Sequence, residues 1–316
     1  MRKLNILILA TILLSTQIKA QSPGNDLVIK PDIPIADVYN FLILGNSLHH
    51  SKTMIEEYME PLGKSIGTGL NSGWYNTAKP HRFPGFDITI GGHIISLPSE
   101  SQVFIADNQP IFGGGLADIE MNTIANGLKR YYLPYAQGSV GLINKTELLF
   151  RYMPSITYSD ITANYWGFGI KHDFKQYAPI VGKLPFDLSF LAAYSNFKSN
   201  YFDEWIENTN YLSRNLDFDI KAFNCNVILS KKVAFITAYA GAGYQYSTSS
   251  LLLDGYHMYN DTGDLLFIED QPLNFSLGGI NGFKTNVGAR FKFLLFTIHA
   301  DYTMAEYDIF TIGIGL

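Results

Sequence analysis

The chain has 316 residues, with 23 Lys and Arg against 28 Asp and Glu, 47% hydrophobic and 14% aromatic residues, and only 16% charged ones. That length buries a sizeable core without staples, and a charged fraction below the roughly 25% of ordinary soluble domains excludes a disordered chain and a coiled coil. The first twenty residues carry Arg2, Lys3 and Lys19 and no acid, so the remainder sets 20 basic against 28 acidic residues, a net −8 that argues against a nucleic-acid partner held by its phosphates.

At the N-terminus, Met1-Arg2-Lys3 precedes an apolar run over 4–14 and then Ser15-Thr16-Gln17-Ile18-Lys19-Ala20. A charged start, a short apolar middle and a small residue before Gln21 form a secretory signal, with cleavage expected between Ala20 and Gln21. The single cysteine, Cys225, excludes an intramolecular disulfide and a multi-cysteine zinc site. Beyond residue 20 no uninterrupted apolar stretch reaches the roughly 18 residues of a transmembrane helix. An exported chain can still enter a membrane as a barrel.

Residues 36–65 read as helical, because Val38, Phe41, Leu42, Leu48, Met54, Ile55, Tyr58 and Leu62 recur at three- and four-residue steps. Pro61 with Gly63 is expected to end the run. The helix and the following Gly67 to Ala78 stretch are too long for a simple lead-in. Two placements are open for them, one inside the barrel as a plug and one on the periplasmic side against the membrane or a partner.

Beyond about residue 85 the hydrophobic period becomes two, the spacing that sends alternate side chains to opposite faces of a strand. Segments of this kind are 86–96, 146–153, 163–174, 186–197, 216–229, 233–246, 283–293, 294–304 and 308–316, with a further one near 135–143. The count points to about ten strands, within a range of about eight to fourteen, each near the ~9–11 residues a tilted membrane strand requires. Tight connections at Lys231-Lys232 and Phe293-Leu294 alternate with long stretches at 98–134, 199–214 and 250–281, as in an outer-membrane barrel whose long loops face outward. Tyr194, Tyr244, Tyr246, Tyr302 and Tyr307 sit where an interfacial girdle would. The expected fold is therefore an all-β transmembrane antiparallel barrel: 1–20 signal peptide, 21–80 helical plug segment, 81–316 barrel.

Motifs for chemistry are weak. Gly63-Lys64-Ser65 resembles the end of a phosphate-binding loop but lacks its first glycine, since Tyr58 stands there. His49 and His50 are adjacent, which turns their rings roughly 100° apart on a helix, awkward for one metal. His93, His172 and His299 have Asp87, Asp173 and Asp301 nearby in sequence, and Ser96, Ser189 and Ser195 are available, but nothing sets a catalytic geometry. No enzyme activity, cofactor or metal is expected. Lumen-facing residues instead include Asp87, Thr89, His93, Glu147, Arg151, Lys171, Asp173, Lys284, Arg290, Lys292, His299 and Asp301, mixed in sign and able to pair across a narrow interior.

Tyr58-Met59-Glu60-Pro61, then Gly73-Trp74-Tyr75-Asn76-Thr77-Ala78-Lys79, then Gly85-Phe86-Asp87, resemble the start of an uncharacterised outer-membrane barrel family common in Bacteroidota, classed as a domain of unknown function. Gly167-Phe168-Gly169-Ile170-Lys171-His172-Asp173 before Leu184-Pro185 adds a distant resemblance to the FadL fatty-acid transporters and the secretion barrel PorV. The Asn-Pro-Ala plug motif of FadL is absent, so fatty-acid transport is assigned to no residue. Two functions follow. The first is a barrel in the cell outer membrane, contacting its lipid, that passes or binds a small apolar solute, with Phe41, Leu42, Met54, Tyr58 and Trp74 sealing the route. The second is a non-transporting scaffold or accessory subunit for other outer-membrane proteins.

Overall fold

A computed structural model describes residues 48–111, 115–125, 129–158, 160–177, 185–207, 210–254, 256–259, 265–269 and 272–316. The expected cleavage site at Ala20 and Gln21, and Phe41 and Leu42, lie outside the described residues. The described chain opens with helix α1 (Leu48–Asn71). The strands follow: β1 (Phe86–Ser96), β2 (Val103–Ile111), β3 (Gly115–Asn122), β4 (Arg130–Gly141), β5 (Thr146–Tyr158), β6 (Ile161–Asp173), β7 (Asp187–Glu207), β8 (Asn210–Val233), β9 (Ile236–Asp254), β10 (Tyr256–Tyr259), β11 (Leu265–Glu269), β12 (Leu273–Leu277), β13 (Asn281–Phe293), β14 (Phe296–Met304) and β15 (Ile309–Gly315).

Ten of these close a ring in the order β9-β13-β14-β15-β1-β4-β5-β6-β7-β8, with β8 returning to pair with β9. Every pairing in the ring is antiparallel, including the closing β8–β9 pairing and that of β1 with β15, which sets Thr89 against Gly315. The ten are the segments that period two marks out, because inside and outside differ in chemistry along each strand. Above β13, strand β12 continues the pairing along β9, from Leu273 against Leu253 to Leu277 against Ser249. Two hairpins, β2–β3 and β10–β11, stand in the long connections.

The tight turns sit at one end. Ala234 and Leu294 take φ of 54° there, two residues beyond Lys231-Lys232 in the first case and on Phe293-Leu294 in the second. Of the long stretches, 199–214 is not a loop: β7 and β8 stay paired to Glu207 against Asn210, because a hairpin exposed to water can carry polar side chains without losing its ladder.

The outward face of β7 and β8 shows where lipid ends. Leu188, Phe190, Ala192 and Tyr194 face outward on β7 and Phe223, Val227 and Leu229 on β8, whereas Asn196, Lys198, Asp217, Asp219 and Lys221 take that face farther up. Lys198 Nζ lies 3.7 Å from Asp219, and Asn196 donates to the same carboxylate at 3.2 Å. The inner face switches at the same height and in the opposite sense. Asn224, Asn226 and Ser230 point inward below, and Leu216, Phe218 and Ile220 above. On β9 likewise Gln245, Ser247 and Ser249 give way to Leu251 and Leu253. The lower half is thus apolar outside and largely polar inside, apart from a small apolar cluster of Leu149, Leu191 and Ile228 around Trp74, and the upper part is polar outside and apolar inside, as water demands.

That upper apolar interior is built around α1. Met54, Ile55, Tyr58, Met59, Ile66 and Leu70 are buried there against Leu216, Phe218, Ile220, Leu251, Leu253, Phe275 and Leu277. The helix passes through Pro61 and Gly63 rather than ending there, and runs to Asn71. Burial of Pro61 together with Tyr58, Met59, Ser65 and Ile66 outweighs the lost backbone bond, and glycine serves for contact: a Cβ on Gly67 would lie 2.3 Å from Ser247 Oγ. At the helix side Lys64 Nζ meets Glu60 at 2.7 Å and Glu306 at 3.2 Å. Burial pulls the Lys64 ammonium down, but the two carboxylates outweigh it and hold it raised at about 12. Tyr194, Tyr244, Tyr246 and Tyr302 are exposed on the outer face, but Tyr307 is not in the girdle. It turns inward onto Leu97, Ala125 and Ile280, because residue 307 falls on the inward parity of the β14–β15 turn.

Candidate functional site: a lumen filled by its own chain

After Asn71 the chain leaves helical geometry and descends the lumen to Phe86, where β1 begins at the tight-turn end. This descending segment lacks helix and strand, so its backbone groups find partners only in the wall. The wall supplies them. Lys284 Nζ donates to the carbonyl of Asn71. Arg151 donates through Nη1 to Ser72 O at 2.9 Å and through Nη2 to Gly73 O at 2.7 Å. Gln137 Nε2 reaches Trp74 O at 3.3 Å, Lys171 Nζ reaches Thr77 O at 3.4 Å, and the Ser189 hydroxyl donates to Ala78 O. In the other direction the Ala78 N–H donates to Ser230 Oγ at 2.9 Å and the His81 N–H to Glu147 Oε2 at 2.9 Å.

Side chains of the segment are seated as closely. The Arg151 guanidinium lies 4.2 Å from the Trp74 ring centroid and 4.3 Å from that of Tyr135, and Tyr135 stacks on His93 at 4.9 Å. Trp74 lies against Gly167 and Gly169 of β6, where an added Cβ would come within 3.0 and 3.2 Å of the indole. Tyr75 donates to Asn286 Oδ1 at 2.6 Å, beside Gly241, where any Cβ would strike its hydroxyl. Gly73 has φ +64°, a left-handed turn that lets the chain pass His93. Asn71 is held from both sides, accepting from Asn224 Nδ2 at 3.1 Å and donating to Tyr246 O at 3.3 Å.

The structure thus gathers most of the expected lumen network. Arg151 meets His93 Nε2 at 3.3 Å, Lys171 pairs with Glu147 at 3.1 Å, and Arg290 lies 3.6 Å from Asp87. Asp301 accepts from Tyr239 at 3.1 Å, and His299 stands opposite Arg290 on the neighbouring strand. Asp173 does not join. It sits at the tight-turn end, 3.3 Å from Lys145, and accepts from the Lys175 N–H at 2.8 Å, because β6 ends there and its last side chain meets the turn. Lys292 is exposed rather than lumenal: it is still paired with Thr297 of β14, but at the tight-turn rim of the barrel, next to the exposed Phe293–Phe296 turn. Met54, Tyr58 and Trp74 are all buried within the barrel, the first two in its upper apolar part and Trp74 at the height of the bilayer. Gly63 and Ser65 hold no phosphate-loop geometry; Ser65 donates to Leu62 O and accepts from Tyr131. Among the described residues no group of three His, Cys, Asp or Glu side chains could hold a metal ion.

Sequence reasoning missed Gln137, Ser230, Asn224 and Asn286, the backbone contact of Ser189, which it named only as an available serine, and the glycines that seat Trp74 and Tyr75. A signal for the latter existed: Gly167-x-Gly169 and Gly241-x-Gly243 put paired gaps on the inward parity of two strands.

Solved structures with a similar architecture include Ail of Yersinia pestis, 10% identical over 74% of this chain and 97% of that one, TM-score 0.29. The transport unit of the autotransporter AIDA-I from Escherichia coli is 10% identical over 82% and 97%, TM-score 0.34. A Pseudomonas aeruginosa FadL homologue is 8% identical over 73% and 89%, TM-score 0.25. No curated protein matches the chain. A family model described as "Family of unknown function (DUF6588)" matches residues 1–125 and 112–316, which together span the whole chain, and the protein belongs to that family.

Proposed function

We propose that the protein is a sealed, non-transporting barrel of the cell outer membrane, delivered there by a signal peptide cleaved after Ala20, whose working surface is the water-exposed upper part. One observation carries this reading: Arg151, Lys171, Lys284, Glu147 and Gln137 are engaged on the backbone of residues 71–81, so this part of the interior acts as a polar core. The partner is another outer-membrane protein, received by the upper β7–β9 wall. Those strands have 21, 24 and 19 residues against the ~9–11 needed to cross, a surplus of roughly ten residues each.

Passage of a small apolar solute is the competing reading, and it requires residues 71–81 to leave their wall partners. Planar-bilayer conductance and liposome swelling with the full chain separate the two. The sealed barrel gives neither steady conductance nor solute uptake, whereas uptake of an apolar probe by the intact protein overturns it. Chemical cross-linking in cells, with and without residues 203–214, then tests the docking wall.

A further inference from the structure

The tight turns are unusual in what they expose. Ala234 and Leu294 both take φ of 54°, a left-handed conformation in which Gly, Asn or Asp is the usual residue, because a larger side chain crowds its own backbone there. A leucine in that position suits neither the backbone nor water, yet Leu294 is 77% exposed and Leu295 76%. Val233 and Phe235 stand exposed in the β8–β9 turn, and Phe293 and Phe296 in the β13–β14 turn. The two turns lie side by side: the Lys292 N–H donates to Phe235 O at 2.9 Å, and the Phe235 ring meets Phe291 edge-on with centroids 5.0 Å apart. Phe83 and Phe86, where the chain enters β1, add another exposed pair at this end.

Bases flank each apolar tip. Lys231 and Lys232 precede Val233, Lys292 precedes Phe293, and Arg82 precedes Phe83, all four exposed. None of them is in an ion pair among the described residues. The acids of this end are mostly engaged or turned inward: Asp173 holds Lys145 at 3.3 Å, Asp87 and Glu147 are buried in the lumen, and Asp187 is left half-buried. The tight-turn rim is therefore basic in a chain with 28 acids and 23 bases.

We infer that the β8–β9 and β13–β14 turns, together with Arg82-Phe83, form a seat for anionic phospholipid headgroups. The apolar tips enter the boundary between headgroups and acyl chains, and the four long basic side chains reach the phosphates from there, as basic residues beside an apolar surface do. Continuity with the lipid-facing wall selects this occupant. Outward parity runs unbroken down β8 from Phe223, Val227 and Leu229 to Lys231 and Val233, and down β13 from Val287 to Phe291 and Phe293. The basic and apolar turns also extend along six consecutive strands of the ring, from β8 through β9, β13, β14 and β15 to β1, at the foot of a surface that lipid already covers. The inference is separate from the upper docking wall and stands whether or not the lumen conducts.

Tryptophan quenching by brominated acyl chains tests it. The full chain, with Trp166 and Trp205 replaced by Phe and either Leu294→Trp or Phe296→Trp added, is folded into phosphatidylcholine vesicles that contain the same minor fraction of brominated lipid, phosphatidylglycerol in one set and phosphatidylcholine in the other. Trp74, buried in the lumen, contributes a constant background. From the quenching, phosphatidylglycerol should be enriched about fivefold over phosphatidylcholine at either probe, the gain expected from one base near an anionic surface. The preference should fall to near equality when Lys231→Gln, Lys232→Gln and Lys292→Gln are combined, and should weaken in high salt. Equal quenching by the two lipids without the glutamine substitutions overturns the inference, as does a preference that survives them. Quenching by neither lipid would put the turns in water, open to a soluble acidic partner, and overturns it too. Only protein with heat-modifiable mobility is compared, and the two probe positions guard against one variant failing to fold.

Discussion

Arg151 lies face-on over Trp74, 4.2 Å from the ring centroid, while its two terminal nitrogens hold the carbonyls of Ser72 and Gly73. One guanidinium thus fixes both the backbone and the side chain of the descending segment. Its rigid fork makes this possible, since an ammonium cannot bond two carbonyls and lie flat on an indole. Arg151→Ala leaves two buried carbonyls and Gln137 without their donor, at about 1–3 kcal/mol each. The folded band on semi-native gels should convert to the unfolded one at lower temperature, and Arg151→Lys should recover only part of the loss. An unchanged transition in Arg151→Ala would show the segment to be held elsewhere.

Gly169 offers a graded test of the indole seat. Alanine there meets Trp74 at 3.2 Å and Ala193 at 3.3 Å, contacts that a shift of a few tenths of an ångström relieves, whereas valine has no such room. With Trp166 and Trp205 replaced by Phe, Gly169→Val should red-shift Trp74 emission and raise its quenching by acrylamide, with Gly169→Ala close to the parent. Equal spectra for all three would mean that the ring does not occupy this seat.

The helix is gauged by Gly67 and Ser247. Overpacking of this kind costs about 1–3 kcal/mol, so Gly67→Ala should lower the urea midpoint. Ser247→Gly alone also costs, because its hydroxyl accepts from the Ile280 N–H at 3.0 Å. The double variant should be less destabilised than the sum of the singles, since the clash is gone. Additive losses would separate the helix from this strand.

Lys64 sets a pH dependence. Its folded value near 12 lies above the ordinary 10.5, so the contribution is fully present below about 10.5 and is lost as pH rises through 12. After allowance for solvent screening it is worth on the order of 1 kcal/mol. Lys64→Met should lower stability equally across pH 6–9 and blunt the loss of stability above pH 10.5. A Lys64→Met effect that varies between pH 6 and 9 would assign the dependence to another group.

Much of the barrel was legible because lipid and lumen impose opposite chemistries on alternate residues, as in Phe283, Val287 and Phe291 against Lys284, Asn286 and Arg290. Legibility failed where that alternation reverses. Above Tyr194 and Phe223 the outward positions become polar, and 199–214, which is paired, resembled a loop. Local propensity also misled at Pro61 and Gly63, where burial within the ring decides, and Tyr307 had an aromatic's identity without its expected parity. The wall partners of residues 71–81 were hidden for a different reason: Gln137, Ser189 and Ser230 are ordinary polar residues until the chain that they bond lies beside them.

The descending segment carries one more consequence. Amide hydrogen exchange is usually slow where helices and strands are, and fast in irregular chain. Here the N–H groups of Ala78 and His81 belong to neither element, yet each is held by a buried side chain of the surrounding ring. They should exchange as slowly as amides in the middle of β6, making this stretch among the last to open although its backbone follows no regular pattern.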